Sequence, residues 1–158
     1  MDSPITPPGA SPQGSPDGTA LRQALRQLET AQRELRTAVA LDVGLGISEL
    51  SALEALAEAP GLTPKWLGLE LSLTTGAVTA LLDRLAKAGH LDRVSNPQDR
   101  RSVLLRLTDS GTALLATVDE RYGAVGAEVL RASPRLGEDE IVEDLARAAA
   151  VITAHTIG

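Results

Sequence analysis

Residues 74–107 read TTGAVTALLDRLAKAGHLDRVSNPQDRRSVLLRL, and this stretch contains the most informative pattern in the chain. Its first part has apolar residues at helical spacing, namely Ala77, Val78, Leu81, Leu82 and Leu85. Thr74 precedes them as a candidate N-cap, since its hydroxyl can accept a backbone N–H of the first turn. Lys87 and Gly89 are typical of a helix end, because a cation complements the last turn and glycine tolerates a left-handed conformation. The pattern predicts a helix over residues 74–88.

Two strand-like runs, Leu91–Ser95 and Ser102–Leu107, follow this helix. Between them lies a turn sequence, Asn96-Pro97-Gln98-Asp99-Arg100-Arg101, that ends in two adjacent arginines. Residues 91–107 are therefore predicted to form a hairpin with a basic tip. A helix followed by such a hairpin is typical of a winged helix-turn-helix, and this motif indicates DNA binding.

The preceding residues predict the other helices of the motif. Thr63 and Pro64 are a strong helix start, with threonine as the cap and proline at the first helical position. Trp66, Leu67 and Leu71 are expected to supply the apolar contacts of this short helix. Residues 48–58 predict one more compact helix, with Ser48 as its cap.

Long amphipathic segments flank the module. The first runs from Thr19 to about Val43, the next from Thr108 to about Arg131, and a last helix follows a break at Ser133-Pro134. Their apolar stripes suit pairing with partner helices, although the first helix has the alternative of covering the core of its own domain. The predicted organisation is a flexible tail over residues 1–18, a winged module over 46–108, and a helical dimerisation region over 19–45 and 109–158. The predicted fold class is mainly α with a small β-hairpin wing.

Composition restricts the function classes. The chain has no Phe, one Trp and one Tyr, which favours packed helices over a sheet-rich fold. The absence of cysteine excludes disulfides, thiolate metal sites and cysteine redox sensing. The sequence has neither a membrane-length apolar run nor a signal region, so we expect a cytoplasmic protein.

Charge is distributed unevenly. The formal net charge is −6, yet residues 63–107 carry seven cations and four carboxylates, and the remainder carries eight cations and seventeen carboxylates. The positive charge is therefore concentrated on the predicted module, as nucleic-acid binding requires, although a modular protein with an acidic scaffold would show the same distribution.

The module resembles the MarR family of bacterial transcriptional regulators over about residues 46–111. The matching residues are Thr74-Thr75-Gly76-Ala77-Val78-Thr79, Asp83-Arg84-Leu85, Ala88-Gly89, Asp99-Arg100-Arg101 and Leu107-Thr108-Asp109-Ser110-Gly111. The resemblance implies a homodimer in which terminal helices pair and two winged modules bind a palindromic operator. Members of this family commonly repress transcription and release DNA when they bind a small, often aromatic, ligand.

The candidate DNA-binding residues lie on the two predicted helices of the motif and in the wing. They are Lys65, Thr74, Thr75, Gly76, Thr79, Arg84, Arg100 and Arg101. Small polar residues at a helix start fit base edges and phosphates, although Thr74 also has an ordinary capping role. Arg84 is interpreted as a phosphate contact or as an ion pair that holds the wing. The resemblance gives Arg101 a role in a narrow minor groove, where the potential is most negative, and gives Asp99 the role of orienting Arg101 by an ion pair.

Enzyme chemistry has little support. His90 and His155 are the only histidines, and neither belongs to a metal-binding spacing or an evident catalytic triad. We therefore expect no catalytic residue, cofactor or metal site. The competing function is a dimeric ligand-binding or interaction protein whose winged module no longer binds DNA, and the basic wing tip argues against it.

Overall fold

The structure, a computed structural model, describes residues 18–99 and 101–156. The helices in these ranges are α1 (Gly18–Asp42), α2 (Ile47–Glu58), α3 (Pro64–Glu70), α4 (Thr75–Lys87), α5 (Asp109–Ala132) and α6 (Asp139–Thr156), with a 3-10 turn at Pro134–Gly137. The strands are β1 (Leu91–Ser95) and β2 (Val103–Leu107). The predicted fold class, mainly helical with a small antiparallel hairpin, is confirmed. The predicted tail lies outside the described residues except for Gly18, which begins α1.

The chain divides into two structural units, residues 1–36 and 37–158. In the first unit the described residues are helical, and Leu21 and Leu28 are exposed. Arg33 follows Glu29 by four residues, or about one helical turn. An ion pair joins Arg33 Nη2 to Glu29 Oε1 at 2.7 Å.

The core of the second unit is built from aliphatic side chains. Its largest fully buried members are Leu50, Leu53, Leu67, Leu81, Leu82, Leu85, Leu91, Leu105 and Val118, contributed by α2, α3, α4, the hairpin and α5. The apolar face predicted for α4 is confirmed at Val78, Leu81, Leu82 and Leu85, whereas Ala77 is exposed. The α4 helix is thus held by burial of one face, and its opposite face is left exposed.

Three threonines begin helices as the sequence predicts. The hydroxyls of Thr63, Thr74 and Thr108 accept the backbone N–H groups of Trp66, Ala77 and Gly111 at 3.3, 3.3 and 3.0 Å. The prediction that Ser48 caps α2 is wrong, because the helix begins one residue earlier and Gly46 is its N-cap. Glu49 takes over the stabilising role, since its Oε2 accepts the backbone N–H of Gly46 at 2.8 Å.

The turn between α3 and α4 sets the angle of the helix-turn-helix. Ser72 adopts a left-handed conformation with φ 53°, and the N–H of Leu73 returns to the carbonyl of Gly68 at 2.9 Å. A Cβ atom on Gly68 would lie 3.0 Å from Val78 Cγ2, so this glycine allows α3 and α4 to pack closely. The expectation that Trp66 makes apolar contacts is wrong, because its side chain lies on the outer face of α3 and is 63% exposed.

The hairpin pairs Leu91 with Leu107 and Ser95 with Val103. The backbone N–H of Leu105 also donates to the carbonyl of Leu62 at 2.9 Å, so β2 is bonded to the loop before α3 as well as to β1. Because α4 precedes β1 directly, the wing and the helix-turn-helix form one assembly.

The start of α5 is bonded to the turn that ends α4. Thr108 Oγ1 donates to the carbonyl of Gly89 at 2.7 Å, and the Thr108 N–H donates to the carbonyl of His90 at 3.2 Å. Gly111 is buried against the same backbone, and a Cβ atom there would overlap the His90 carbonyl oxygen. This contact couples the module to the long C-terminal helices.

The later part of α5 and all of α6 leave large apolar side chains exposed. These include Val129, Leu130, Val142, Leu145, Val151 and Ile152. Ile141, on the predicted apolar face of α6, is only half-buried. Among the described residues, no helix combines the length and the apolar character that crossing a membrane requires.

Candidate nucleic-acid interface

The N-terminal half of α4 presents small residues to solvent. Thr75, Gly76 and Thr79 are all exposed. Thr74 is exposed too, but its hydroxyl is engaged as the N-cap, and Thr79 Oγ1 donates to the Thr75 carbonyl at 3.0 Å. Apart from the backbone of its own helix and its chain neighbours, no atom of the described residues lies within 4 Å of a Cβ built on Gly76, so packing does not require a glycine there. An approaching partner therefore meets short side chains and nearby backbone.

Two open depressions meet beside this surface, and Pro64 and Lys65 border both. The first, about 500 Å³, lies between α3 and α4 and includes Thr75 and Thr79 in its lining. The second, about 490 Å³, lies between the start of α3 and the wing, and Asp99 and Arg101 contribute to it. The structure thus brings Lys65, the α4 threonines and Arg101 together along one surface, although they are far apart in sequence.

The wing tip is held by hydrogen bonds of its own polar residues. Asn96 Oδ1 accepts the N–H of Gln98 at 2.9 Å, and Asn96 Nδ2 donates to Ser102 Oγ at 2.8 Å. Asp99 Oδ1 accepts the backbone N–H of Arg101 at 2.9 Å. Asp99 thus orients the Arg101 backbone, and no ion pair between the two side chains occurs among the described residues. The guanidinium of Arg101 has no ion-pair partner among the described residues, and Arg100 lies outside them.

Arg84 does not hold the wing. Its Nε bonds Glu49 Oε1 of α2 at 2.6 Å, and its side chain is 60% exposed. The pair that links α4 to the wing is Arg93 Nη2 with Asp83 Oδ1, at 2.7 Å. Sequence reasoning missed the roles of Glu49 and Arg93, because no local spacing relates either residue to its partner.

Both carboxylate oxygens of Glu49 are bonded, and its side chain is only 15% exposed. The backbone N–H of Gly46 and the guanidinium of Arg84 together lower the pKa of Glu49 below its ordinary value. Glu49 is thus held in its charged form, and its two bonds connect the start of α2 with α4.

Glu49→Gln is expected to lower the free energy of unfolding at pH 7 by about 1–2 kcal/mol, because bonds to a charged group are stronger than neutral ones. The pKa of Glu49 is lower in the folded than in the unfolded chain. Its contribution to stability is therefore present above the unfolded value and is lost as the pH falls through the folded value. Urea unfolding followed by far-UV circular dichroism should show that the parent and Glu49→Gln differ in the free energy of unfolding at pH 7. This difference should disappear in acid. Glu58→Gln, at an exposed carboxylate of the same helix, is the control, and a Glu49 effect that persists unchanged in acid would contradict the assignment.

Each histidine lies within hydrogen-bond distance of one neighbouring group. His90 Nδ1 lies 3.1 Å from Ser110 Oγ at the junction with α5, and His155 Nδ1 lies 2.8 Å from the carbonyl of Val151 within α6. No group of three or more metal-ligating side chains occurs in the part of the chain that the structure describes.

Comparison with known proteins agrees with this geometry. Residues 43–102 match the MarR family model. The chain is 41% identical over 83 residues to the uncharacterized HTH-type transcriptional regulator YcgE of Bacillus subtilis, an alignment that covers 52% of this chain and 54% of that protein. It is 42% identical over 62 residues to the multiple antibiotic resistance protein MarR of Salmonella typhimurium, covering 39% and 43% of the two chains. The chain thus spans about half the length of the curated relatives that it matches.

The fold extends further than these alignments. A crystal structure of transcriptional regulator Tm0710 from Thermotoga maritima superposes with a TM-score of 0.70, at 22% identity, over 89% of this chain and 99% of that one. At this identity the likeness shows the fold alone.

Proposed function

We propose that the chain, which matches the MarR family model over residues 43–102, is a homodimeric, DNA-binding transcriptional regulator of this family that acts as a repressor. In this proposal α4 enters the major groove and the wing at residues 91–107 lies over the adjacent minor groove. The role places the chain in the cytoplasm, where bacterial DNA lies.

The observation that carries the proposal is the common surface of α3, α4 and the wing. Lys65 and Arg101 are exposed on it and form no ion pair among the described residues. Thr75 and Thr79 of α4 line the depression between α3 and α4. Cations without partners bind phosphates and groove edges, and short side chains let a helix approach base edges. A module that had lost DNA binding has no need of this arrangement, so it disfavours the alternative of a ligand-binding or interaction protein.

The proposed homodimer rests on the apolar residues that α5 and α6 leave exposed. Val142, Leu145 and Ile152 are exposed and lie toward one side of α6, where a second chain can cover them. A two-fold dimer presents two reading modules to an inverted repeat, which matches the symmetry of a palindromic operator.

Release of DNA by a small ligand completes the proposal. A ligand changes DNA affinity only when it binds the DNA-competent and the other conformation unequally. The junction of Gly89 and His90 with the start of α5 is a suitable place for such a change, because it connects the module to the proposed dimer helices.

The test is selection of duplexes from a random pool by the purified chain, followed by sequencing of the bound fraction. We expect an inverted repeat whose half-sites are separated by about one helical turn or a multiple of it. We also expect two chains per duplex by light scattering and an affinity that falls as salt is raised. No enrichment of any sequence, together with a salt-independent affinity, would contradict the proposed function.

A further inference from the structure

The cations of the winged module fall into two classes. Arg84 bonds Glu49 at 2.6 Å, Arg93 bonds Asp83 at 2.7 Å, and Arg106 lies 3.5 Å from Asp92. Lys65, Lys87 and Arg101 have no carboxylate partner among the described residues. Among the described cations of the module, the positive charge available to a polyanion therefore resides on these three side chains.

Lys87 extends the exposed face of α4. Gly76, Ala80, Asp83 and Lys87 are exposed and follow one another at steps of four, three and four residues, so they form one line along the helix. Lys87 lies eleven residues beyond Gly76, which corresponds to about 16 Å along the axis. The buried residues, among them Leu81 and Leu85, lie on the opposite side.

We propose that Lys87 contacts a DNA phosphate in each half-site and that Arg84, three residues earlier on the same helix, does not. This assignment rests on the proposed function. The major groove is about 12 Å wide. When the N-terminal residues of a helix contact base edges in this groove, a side chain about 16 Å further along the helix lies near the phosphates at the groove margin.

Asp83 lies on the same exposed line and would repel DNA if its charge were free. Its Oδ1 is 2.7 Å from Arg93 Nη2, so the charge is balanced from the wing. Lys87 is thus the charge on this line that is not balanced by a neighbour among the described residues.

Arg84 differs from Lys87 in its surroundings. A phosphate that approached Arg84 would also approach the carboxylate of Glu49, which is bonded to the same guanidinium. Counterion release on DNA binding requires cations that neutralise phosphates, and Arg84 already neutralises a carboxylate. Its role is to join α4 to α2.

A purely structural role is also open to Lys87, because a cation in the last turn of a helix complements the helix dipole. The salt dependence of DNA affinity distinguishes a phosphate contact from a helix-dipole contact. A lysine that only complements the helix dipole releases no counterions from DNA. A dimer has two such lysines, so Lys87→Gln should make the slope of log K against log salt shallower by about 2. The affinity ratio of parent to variant should accordingly fall about tenfold between 50 and 200 mM salt.

Fluorescence anisotropy on the selected duplex at several salt concentrations is the measurement. Lys87→Arg should restore the parent's slope, because it keeps the charge. The double variant Glu49→Gln/Arg84→Gln, which keeps the net charge, should keep the parent's slope while lowering the urea midpoint. Arg135→Gln, outside the module, controls for the loss of one positive charge.

If the parent binds DNA and Lys87→Gln has the same slope of log K against log salt as the parent, the assignment of Lys87 is overturned. A slope reduced by about 2 in the Glu49/Arg84 double variant would overturn it too. A parent chain without salt-dependent DNA binding would instead overturn the proposed function, and this inference with it.

Discussion

Gly111→Ala is expected to destabilise the chain by about 3 kcal/mol or more, which is a large part of the stability of a small domain. The methyl group would overlap the carbonyl oxygen of His90. A backbone atom cannot move aside as a flexible side chain does, and this carbonyl also accepts the N–H of Thr108. The start of α5 would therefore have to move away from the turn that ends α4.

Urea unfolding followed by far-UV circular dichroism measures this effect. The single tryptophan, Trp66, is a poor probe because its side chain is already largely exposed in the folded chain. Gly123→Ala is the matched control in the same helix, since nothing lies within 4 Å of its added Cβ. The control should stabilise the chain by up to about 1 kcal/mol, because alanine is the better helix former. Equal urea midpoints for Gly111→Ala and the parent would refute the close packing at His90.

Arg101→Ala is expected to weaken operator binding by about 1–3 kcal/mol per half-site, the range for a good base-region contact. The substitution should remove only the guanidinium, because Asp99 bonds the backbone N–H of residue 101 and that bond remains in the variant. The salt dependence should also become shallower, since fewer counterions are released.

Fluorescence anisotropy on specific and scrambled duplexes at several salt concentrations measures both effects. Thr75→Ala is the comparison variant, because it changes the exposed surface of α4 without changing the charge. It should alter the preference among operator sequences and leave the salt slope nearly unchanged. If Arg101→Ala bound every duplex as tightly as the parent, the wing would have no part in binding and DNA reading would rest on α4 alone.

The sequence by itself determined the elements of the module. Thr63, Thr74 and Thr108 were identified as caps because a cap bonds an N–H only three residues away. Two short apolar runs and the polar turn between them predict the hairpin, and a glycine shortly after Lys87 predicts the end of α4. In the structure Gly89 has the positive φ that such a helix end uses. These features depend on neighbours in the chain, so local spacing is sufficient to find them.

The tertiary structure alone decided which side chains meet. Arg84 and Glu49 are 35 positions apart, and Arg93 and Asp83 are ten apart, so their pairing depends on how α2, α4 and the wing pack. Trp66 was assigned to the apolar contacts of its helix by residue type, yet packing leaves it on the outer face of α3.

The same division applies to the candidate site. The sequence supplied Lys65, Thr75, Thr79 and Arg101 by their motifs, whereas only the packed module shows that they border one surface. Gly111 belongs to a recognisable motif. The reason why a glycine is needed there is the nearby carbonyl of His90, and this contact exists only in the folded chain. Local patterns fix elements because hydrogen bonds and periodicity act over a few residues. Charge pairing and close packing depend on distances that exist only after the helices and the wing have assembled.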